Sequence, residues 1–335
     1  MSMKNISRLL RSAGVIVAVT AAAFLGGAQD GSAATPEPLM MSYVPGNSGS
    51  WDIFVGIEKG MFAKEGFAPQ RVILQNAIES AQLMVTGAVN MAVAQSAALL
   101  TAISHGAQDI KIIAAPENRI DWYLSARPDI KTAKDLKGKL VGSAQLQAAD
   151  SWLTEDWIDS QGLTKKEWGI IAIGTSGAKF AALQRGSIAA AILYQPVGFL
   201  AEARGFTTLY HFADGKPMPP LLYAVNQKWA AEKKHGIRLS HALVEAHHWL
   251  IDPANKAEAM AILKKYNKQN DAITEKSYEY FIGKRKLMND DAAVDIAGLD
   301  NEIAVMAKHG GLPPGITKLS PNQYMLPKAL GGLYH

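Results

Sequence analysis

The chain has no cysteine in 335 residues. No disulfide can staple it, no thiolate can hold a metal, and no thiol can act as a nucleophile or carry a lipid anchor. A Walker phosphate loop and a dinucleotide glycine fingerprint are also missing. Neither sign of charge dominates, since 34 Lys and Arg face 30 Asp and Glu. No basic stretch interleaved with aromatics offers a nucleic-acid surface. Beyond the first residues no run is apolar enough for a membrane span of about 20 residues.

Catalytic motifs are equally scarce. Ser176-Gly177-Ala178-Lys179 fits Ser-x-x-Lys, but the companion Ser-Asp-Asn and Lys-Thr-Gly elements are absent. Glu245 and His248 have the spacing of a di-iron helix without the second copy such a site needs. His247 and His248 read as a pair on a helix surface, and Lys284-Arg285-Lys286 as a solvated basic run. No catalytic residue, metal ligand or cofactor is expected, and the chain is read as a non-enzyme.

What is present begins with a leader. Lys4, Arg8 and Arg11 precede the apolar "AGVIVAVTAAAFLGGA" (13–28), and small residues follow at Ala33 and Ala34. That is the pattern of a cleaved secretory signal over residues 1–33. Its removal takes away three basic residues and Asp30, lowering the formal charge from +4 to +2. A soluble periplasmic monomer is expected, held together by core packing alone.

The remainder alternates strands with helices, which predicts an α/β fold with mostly parallel sheets flanked by helices. Strands are expected at "LMMSYV" (39–44), "QRVIL" (70–74), "VNMAVAQ" (89–95), "IKIIAAP" (110–116), "KGKLVGSA" (137–144), "WGIIAIG" (168–174) and "IAAAILYQP" (188–196). Helix–Gly–strand–polar–helix occurs twice. With Gly87 set on Gly186, residues 83–95 and 182–194 run in parallel, one copy in each of two lobes. "DWYLSAR" (121–127) and "LLYAVNQKW" (221–229) read as strands that cross between the lobes. The expected division is 34–119 and 223–305 for lobe 1, 120–222 for lobe 2, and 306–335 for a C-terminal tail packing on lobe 1. "NDDAAVDIAGLDNEIAVMAKHG" (289–310) is read as helical throughout.

Several helices start with small or hydroxyl residues just after a strand. In open α/β sheets ligands bind there, where helix N-termini present free N–H groups. Asn47 to Ser50, Gln95-Ser96, Gln147 to Ser151 and Thr175 to Gly177 are such starts. Converging N-termini and hydroxyls suit a small anion, and Trp51, Trp122 and Tyr194 suit a planar ring.

"GIEKGMFAKEGF" (56–67), "LMVTGAVNMAVAQSAALL" (83–100), "LSARPDIKTAKDLKGKLVGSA" (124–144) and "FAALQRGSIAAAILYQP" (180–196) together resemble a known family. They are similar to periplasmic substrate-binding proteins of ABC importers, in the nitrate/sulfonate/bicarbonate and thiamine-precursor group. The likeness covers most of residues 39 to about 265. It implies a two-lobed type II periplasmic-binding-protein fold, capture of a small solute by lobe closure, and delivery to an ABC permease. Carried over by position, the ligand-facing residues are Ser48, Gly49, Ser50, Trp51, Asn76, Gln95 and Ser96 from one lobe. Gln147, Ala148, Ser176 and Tyr194 come from the other. The solute is expected to be anionic or aromatic. A ligand-sensing receptor subunit and a periplasmic enzyme on the same fold are the alternatives. The synthase branch of the group relies on a cysteine-rich motif that this chain lacks.

Overall fold

A computed structural model describes residues 35–43, 48–74 and 77–335. The leader expected at 1–33 and the site residue Asn76 lie outside the described residues.

The chain first lays down β1 (Glu37–Tyr43), α1 (Trp51–Glu58), α2 (Met61–Lys64), β2 (Phe67–Ile73), α3 (Ala77–Val85), β3 (Met91–Gln95), α4 (Ser96–Ser104) and β4 (Ile110–Ala114). It then crosses into β5 (Tyr123–Ala126), β6 (Leu140–Ser143), α5 (Ala149–Ser160), β7 (Gly169–Ala172), α6 (Ser176–Gln184), β8 (Ala190–Leu193), α7 (Val197–Ala203) and β9 (Thr207–His211). It returns through β10 (Leu221–Asn226) and ends in α8 (Gln227–Ala231), α9 (His235–Ile251), α10 (Lys256–Asn267), α11 (Asp271–Tyr278), α12 (Ile296–Lys308) and α13 (Pro321–Tyr324).

Two five-stranded sheets result, ordered β2-β1-β3-β10-β4 and β7-β6-β8-β5-β9. Both stretches expected to cross do so. β10 runs antiparallel between β3 and β4, and β5 runs antiparallel between β8 and β9. Each sheet is therefore mixed; the first takes β10 from the returning chain, whereas the second is built from the consecutive strands β5 to β9. β3, β4 and β8 are buried along their whole length, which explains their unbroken apolar sequences.

The internal repeat is built the same way in both places. Gly87 and Gly186 adopt φ of 72° and 73°. Each closes its helix with a pair of bonds, from Gly87 and Ala88 to Met84 and Leu83, and from Gly186 and Ser187 to Leu183 and Ala182. A left-handed residue there releases the chain from the helix and satisfies its last carbonyls. The strand that follows occupies the third position from the sheet edge in both cases.

Three expectations need correction. β9 was not anticipated. The run 289–310 is helical only from Ile296; before it, the Asn289 amide donates to the carbonyls of Ala115 and Ala293, and Ala292 takes φ 57°, which holds a loop. His247 is not on a surface. It is fully buried, with Nε2 bonded to the Asn289 carbonyl at 2.7 Å, whereas His248 is exposed. Among the described residues, no helix is long and apolar enough to cross a membrane.

Candidate functional site

β3 and β6 each lead into a helix, and residues at those junctions meet between the sheets. A cleft of about 280 Å³ lies there. Ile78, Gln82 and Gln95 line it from the first sheet's side, and Gln145, Gln147 and Ala148 from the second's. Deeper in, Gln95 Nε2 donates to the Tyr194 hydroxyl at 3.4 Å. Tyr194 stacks on Trp122 of the first crossing segment, with centroids 4.8 Å apart and planes tilted by 24°.

Behind that ring sits an ion pair. Lys179 and Asp150 are both inaccessible to solvent, with Nζ to Oδ2 at 3.7 Å, and the Lys179 ammonium lies 4.6 Å from the centre of the Tyr194 ring. Asp150 is fixed by its neighbours, accepting from Ala144 N at 2.6 Å and Ser151 N at 3.0 Å. Burial pushes the Lys179 amine below its ordinary range, against the pull of Asp150. Ser176 Oγ accepts from Tyr194 N at 3.1 Å, which ties the start of α6 to the end of β8.

On the first sheet's side, Ser48, Gly49 and Ser50 form a buried turn ahead of α1. Trp51 points into the core, where its indole N–H donates to the Ala259 carbonyl at 2.9 Å. The Ser96 hydroxyl donates to Glu302 Oε1 of α12 at 2.7 Å. Burial raises the Glu302 carboxyl to about 8, although the Ser96 bond works the other way.

The structure thus brings Gln95, Gln147 and Ala148 together around one cleft, with Tyr194 bonded to Gln95 behind it and Ser176 holding Tyr194. Ser48 and Ser50 are buried near Asp52, while Trp51 and Ser96 make their bonds elsewhere.

Apart from Arg119, which was read as lying near the hinge, the charged residues at this interface were not anticipated from the sequence. Asp52 (α1) accepts from the Tyr223 hydroxyl and approaches His247 Nδ1 at 3.4 Å. Burial alone would lower the His247 imidazole; the Asp52 carboxylate outweighs it and holds the group above its usual range. Glu117 and Asp121 lie buried on the first crossing segment, and Asp121 accepts from Gln195 N at 3.2 Å. Arg119 on the same segment donates from Nη1 to the carbonyls of Ala213 at 3.0 Å and Gly215 at 3.1 Å, joining the two crossings.

A pattern runs through these groups. Among the described residues, Ser48 Oγ, Ser50 Oγ, Gln95 Oε1, Glu117 Oε1 and Oε2, Lys179 Nζ and Gln195 Nε2 are buried without a hydrogen-bond partner. Native interiors leave few such groups unpaired, because each costs about 1–3 kcal/mol or more.

Two mixed sheets flanked by helices, with a cleft between them, match the architecture of periplasmic binding proteins. The NMT1/THI5 like family profile matches residues 47–252, and the chain belongs to that family. The fold is similar to that of the periplasmic aliphatic sulphonate binding protein SsuA from Escherichia coli (TM-score 0.70, 16% identity, 87% of this chain and 98% of that one). It is similar also to the periplasmic nitrate-binding protein NrtA from Synechocystis PCC 6803 (TM-score 0.72, 13% identity, 89% and 86% covered). The desulfurization enzyme DSZB shares it too (TM-score 0.67, 13% identity, 88% and 97% covered). No curated protein matches the chain in sequence.

Proposed function

We propose that this protein is a soluble periplasmic receptor that captures a small solute between two lobes and delivers it to the permease of an ABC importer. The observation that carries the reading is the set of buried, unpartnered polar groups contributed by both sheets and by the crossing between them. A polar solute held in the cleft would supply the missing partners. In this reading residues 1–33 are a cleaved leader and the receptor acts as a monomer. Lobe 1 comprises 34–119 and 223–305, lobe 2 comprises 120–222, and the tail 306–335 rests on lobe 1. Gln95, Gln147, Ala148 and Tyr194 face the solute, with Ser48, Gly49 and Ser50 contributing from the first turn. The crossings around Arg119 act as the hinge on which the lobes close.

Of the two solute classes suggested by the sequence, the aromatic one has the better support. Trp122 and Tyr194 form a stack behind Gln95, which lines the cleft. The one buried lysine there is matched by Asp150, and Asp52, Glu117 and Asp121 make the interior acidic. An enzymatic reading rests on likeness to DSZB alone. His247 has both ring nitrogens engaged, with Asp52 and with the Asn289 carbonyl, and does not activate a nucleophile.

The test is a thermal-shift screen of the purified protein against sulfonates, nitrate, aromatic acids, pyrimidines and flavins. A solute that binds only the folded state raises the apparent stability as RT ln(1 + [L]/Kd). At least one class should shift the midpoint by several degrees and lose the shift in Tyr194→Ala. If no compound shifts it, the receptor reading fails.

A further inference from the structure

Among the described residues, every side chain that lines the cleft is uncharged. Gln82, Gln95, Thr101, Gln145 and Gln147 are polar, and the others are alanine, isoleucine, valine and tryptophan. The lack of charge is local, since 19% of the chain is Asp, Glu, Lys or Arg. Gln82, Gln145 and Gln147 are exposed, whereas Gln95 is only 4% exposed. Its Nε2 donates to the Tyr194 hydroxyl, and its Oε1 has no hydrogen-bond partner. One buried acceptor therefore stands unsatisfied in the wall of the cleft.

The donors that an anion would need are already taken. At the start of α4, Ser96 N donates to the Pro220 carbonyl at 3.3 Å and the Ser96 hydroxyl to Glu302 Oε1 at 2.7 Å. At the start of α5, Asp150 Oδ1 accepts from Ser151 N at 3.0 Å, and Ser151 Oγ accepts from Ala148 N at 3.4 Å. At the start of α6, Thr175 Oγ1 accepts from Ala178 N at 3.2 Å. The protein's own carboxyls and hydroxyls thus stand where helix starts would otherwise receive an anion. Lys179 supplies no counter-charge either. It does not line the cleft, lies 4.6 Å from the centre of the Tyr194 ring, and faces Asp150. A charged group held in such a cleft would lose hydration without gaining an opposite charge.

We propose that the cleft takes an uncharged solute bearing a carboxamide or ureide group, whose N–H donates to Gln95 Oε1 and whose apolar body lies along α3 and α4. This inference rests on the receptor reading and deepens it by fixing the charge and head group of the solute. Ile78, Ala81 and Val85 of α3 and Ala97, Ala98 and Ala102 of α4 supply the apolar wall. The exposed glutamines suit the same head group, because a carboxamide both donates and accepts. An ester would leave Gln95 Oε1 unpaired, and a carboxylate would set a negative charge against it. An amidinium would satisfy Oε1 and find no counter-charge in the lining.

The experiment compares probes of nearly equal shape on the purified protein by thermal shift and calorimetry. Benzamide and phenylurea are neutral N–H donors, methyl benzoate is neutral without an N–H, benzoate and benzenesulfonate are anions, and benzamidine is a cation. Benzamide or phenylurea should bind about tenfold or more tightly than any charged probe. Gln95→Leu should bring benzamide down to the level of methyl benzoate and leave methyl benzoate unchanged, a split that a damaged fold would not give. Gln147→Arg alters an exposed side chain and adds the missing cation, so benzoate should gain about tenfold. Preferential binding of benzoate, benzenesulfonate or benzamidine to the parent would overturn the assignment and leave the receptor reading standing. So would an unaltered preference for benzamide in Gln95→Leu, or no gain of benzoate in Gln147→Arg. If no probe binds, the assignment falls, and the receptor reading is then decided by the broader screen described above.

Discussion

The side-chain amide of Gln95 donates to the phenol of Tyr194 at 3.4 Å, joining two residues that stand at the same place in a repeated unit. Each is the eighth residue after its helix-closing glycine, Gly87 or Gly186. Two copies of one supersecondary unit thus meet at their functional ends. The contact is long for a hydrogen bond, and Gln95 keeps a free carbonyl oxygen beside it.

Tyr194 is therefore expected to matter for capture and little for folding. Tyr194→Ala removes the stack with Trp122 and the hydroxyl, and should weaken solute binding about tenfold or more. Tyr194→Phe keeps the ring and should cost less than Tyr194→Ala. Calorimetry with whichever solute the screen identifies checks both. Equal affinities in parent and Tyr194→Ala would remove Tyr194 from the site.

Stability should fall as pH rises from about 5 to 8, and Glu302 should carry part of that fall. Its carboxyl is raised from the usual 4.5 to about 8 in the folded state. Between those values the folded chain holds a proton that the unfolded chain has released, so unfolding becomes easier as pH increases. Asp121, raised to about 7 by burial, acts in the same direction. Glu302→Gln keeps the Ser96 bond without the ionisable proton. Its unfolding free energy from urea titration should vary less with pH and exceed the parent's at pH 8, by an amount on the order of a few kcal/mol at most. A parent whose stability rises over this interval would contradict the assignment.

The Asp52–His247 pair should be the most sensitive polar contact in the core. Both side chains are fully buried, and Asp52 also anchors the Tyr223 hydroxyl. Removing either partner strips the other of its buried counterpart, at a cost of about 3–5 kcal/mol. His247→Ala and Asp52→Ala should each show a loss of that size in denaturant unfolding. The double variant should lose less than the sum of the two.

Gly87→Ala and Gly186→Ala should behave alike. Both positions need a left-handed backbone, which costs an L-residue about 1–2 kcal/mol. An added Cβ meets no atom within 4 Å at Gly87 and only the Arg127 guanidinium, at 3.9 Å, at Gly186. The loss should then be conformational and similar in the two variants. A much larger loss at one of them would mean that the repeat is not structurally equivalent.

The fold was largely readable because its central strands are short apolar runs separated by glycines, as in 83–95 and 182–194. β9 escaped notice because Thr207–His211 is only half-buried and has no apolar run to mark it. Its pairing with β5 defines it instead. The helix expected at 289 failed because the Asn289 side chain competes for backbone groups that a helix would use.

The site was readable at its polar junctions and not at its charges. Asp52 in the first turn of a helix, Lys179 on a helix, and His247 beside His248 each look solvent-facing by local pattern. Only packing against elements far along the chain buries them. Ser96 illustrates the reverse. Its position after a strand suggested a ligand contact, yet a carboxylate 206 residues away takes its hydroxyl.

The late insertion of β10 into the first sheet has a consequence for the order of folding. The sheet begun at Glu37 has a gap between β3 and β4 until residues 221–226 have been made. Its far edge gains a further bridge from Met325 to Ile112. The first sheet therefore cannot be completed until the chain returns, whereas the second takes all five of its strands from the single stretch 123–211. A fragment ending before residue 221 should leave the first sheet open, and addition of the remaining segment should restore its protection from hydrogen exchange.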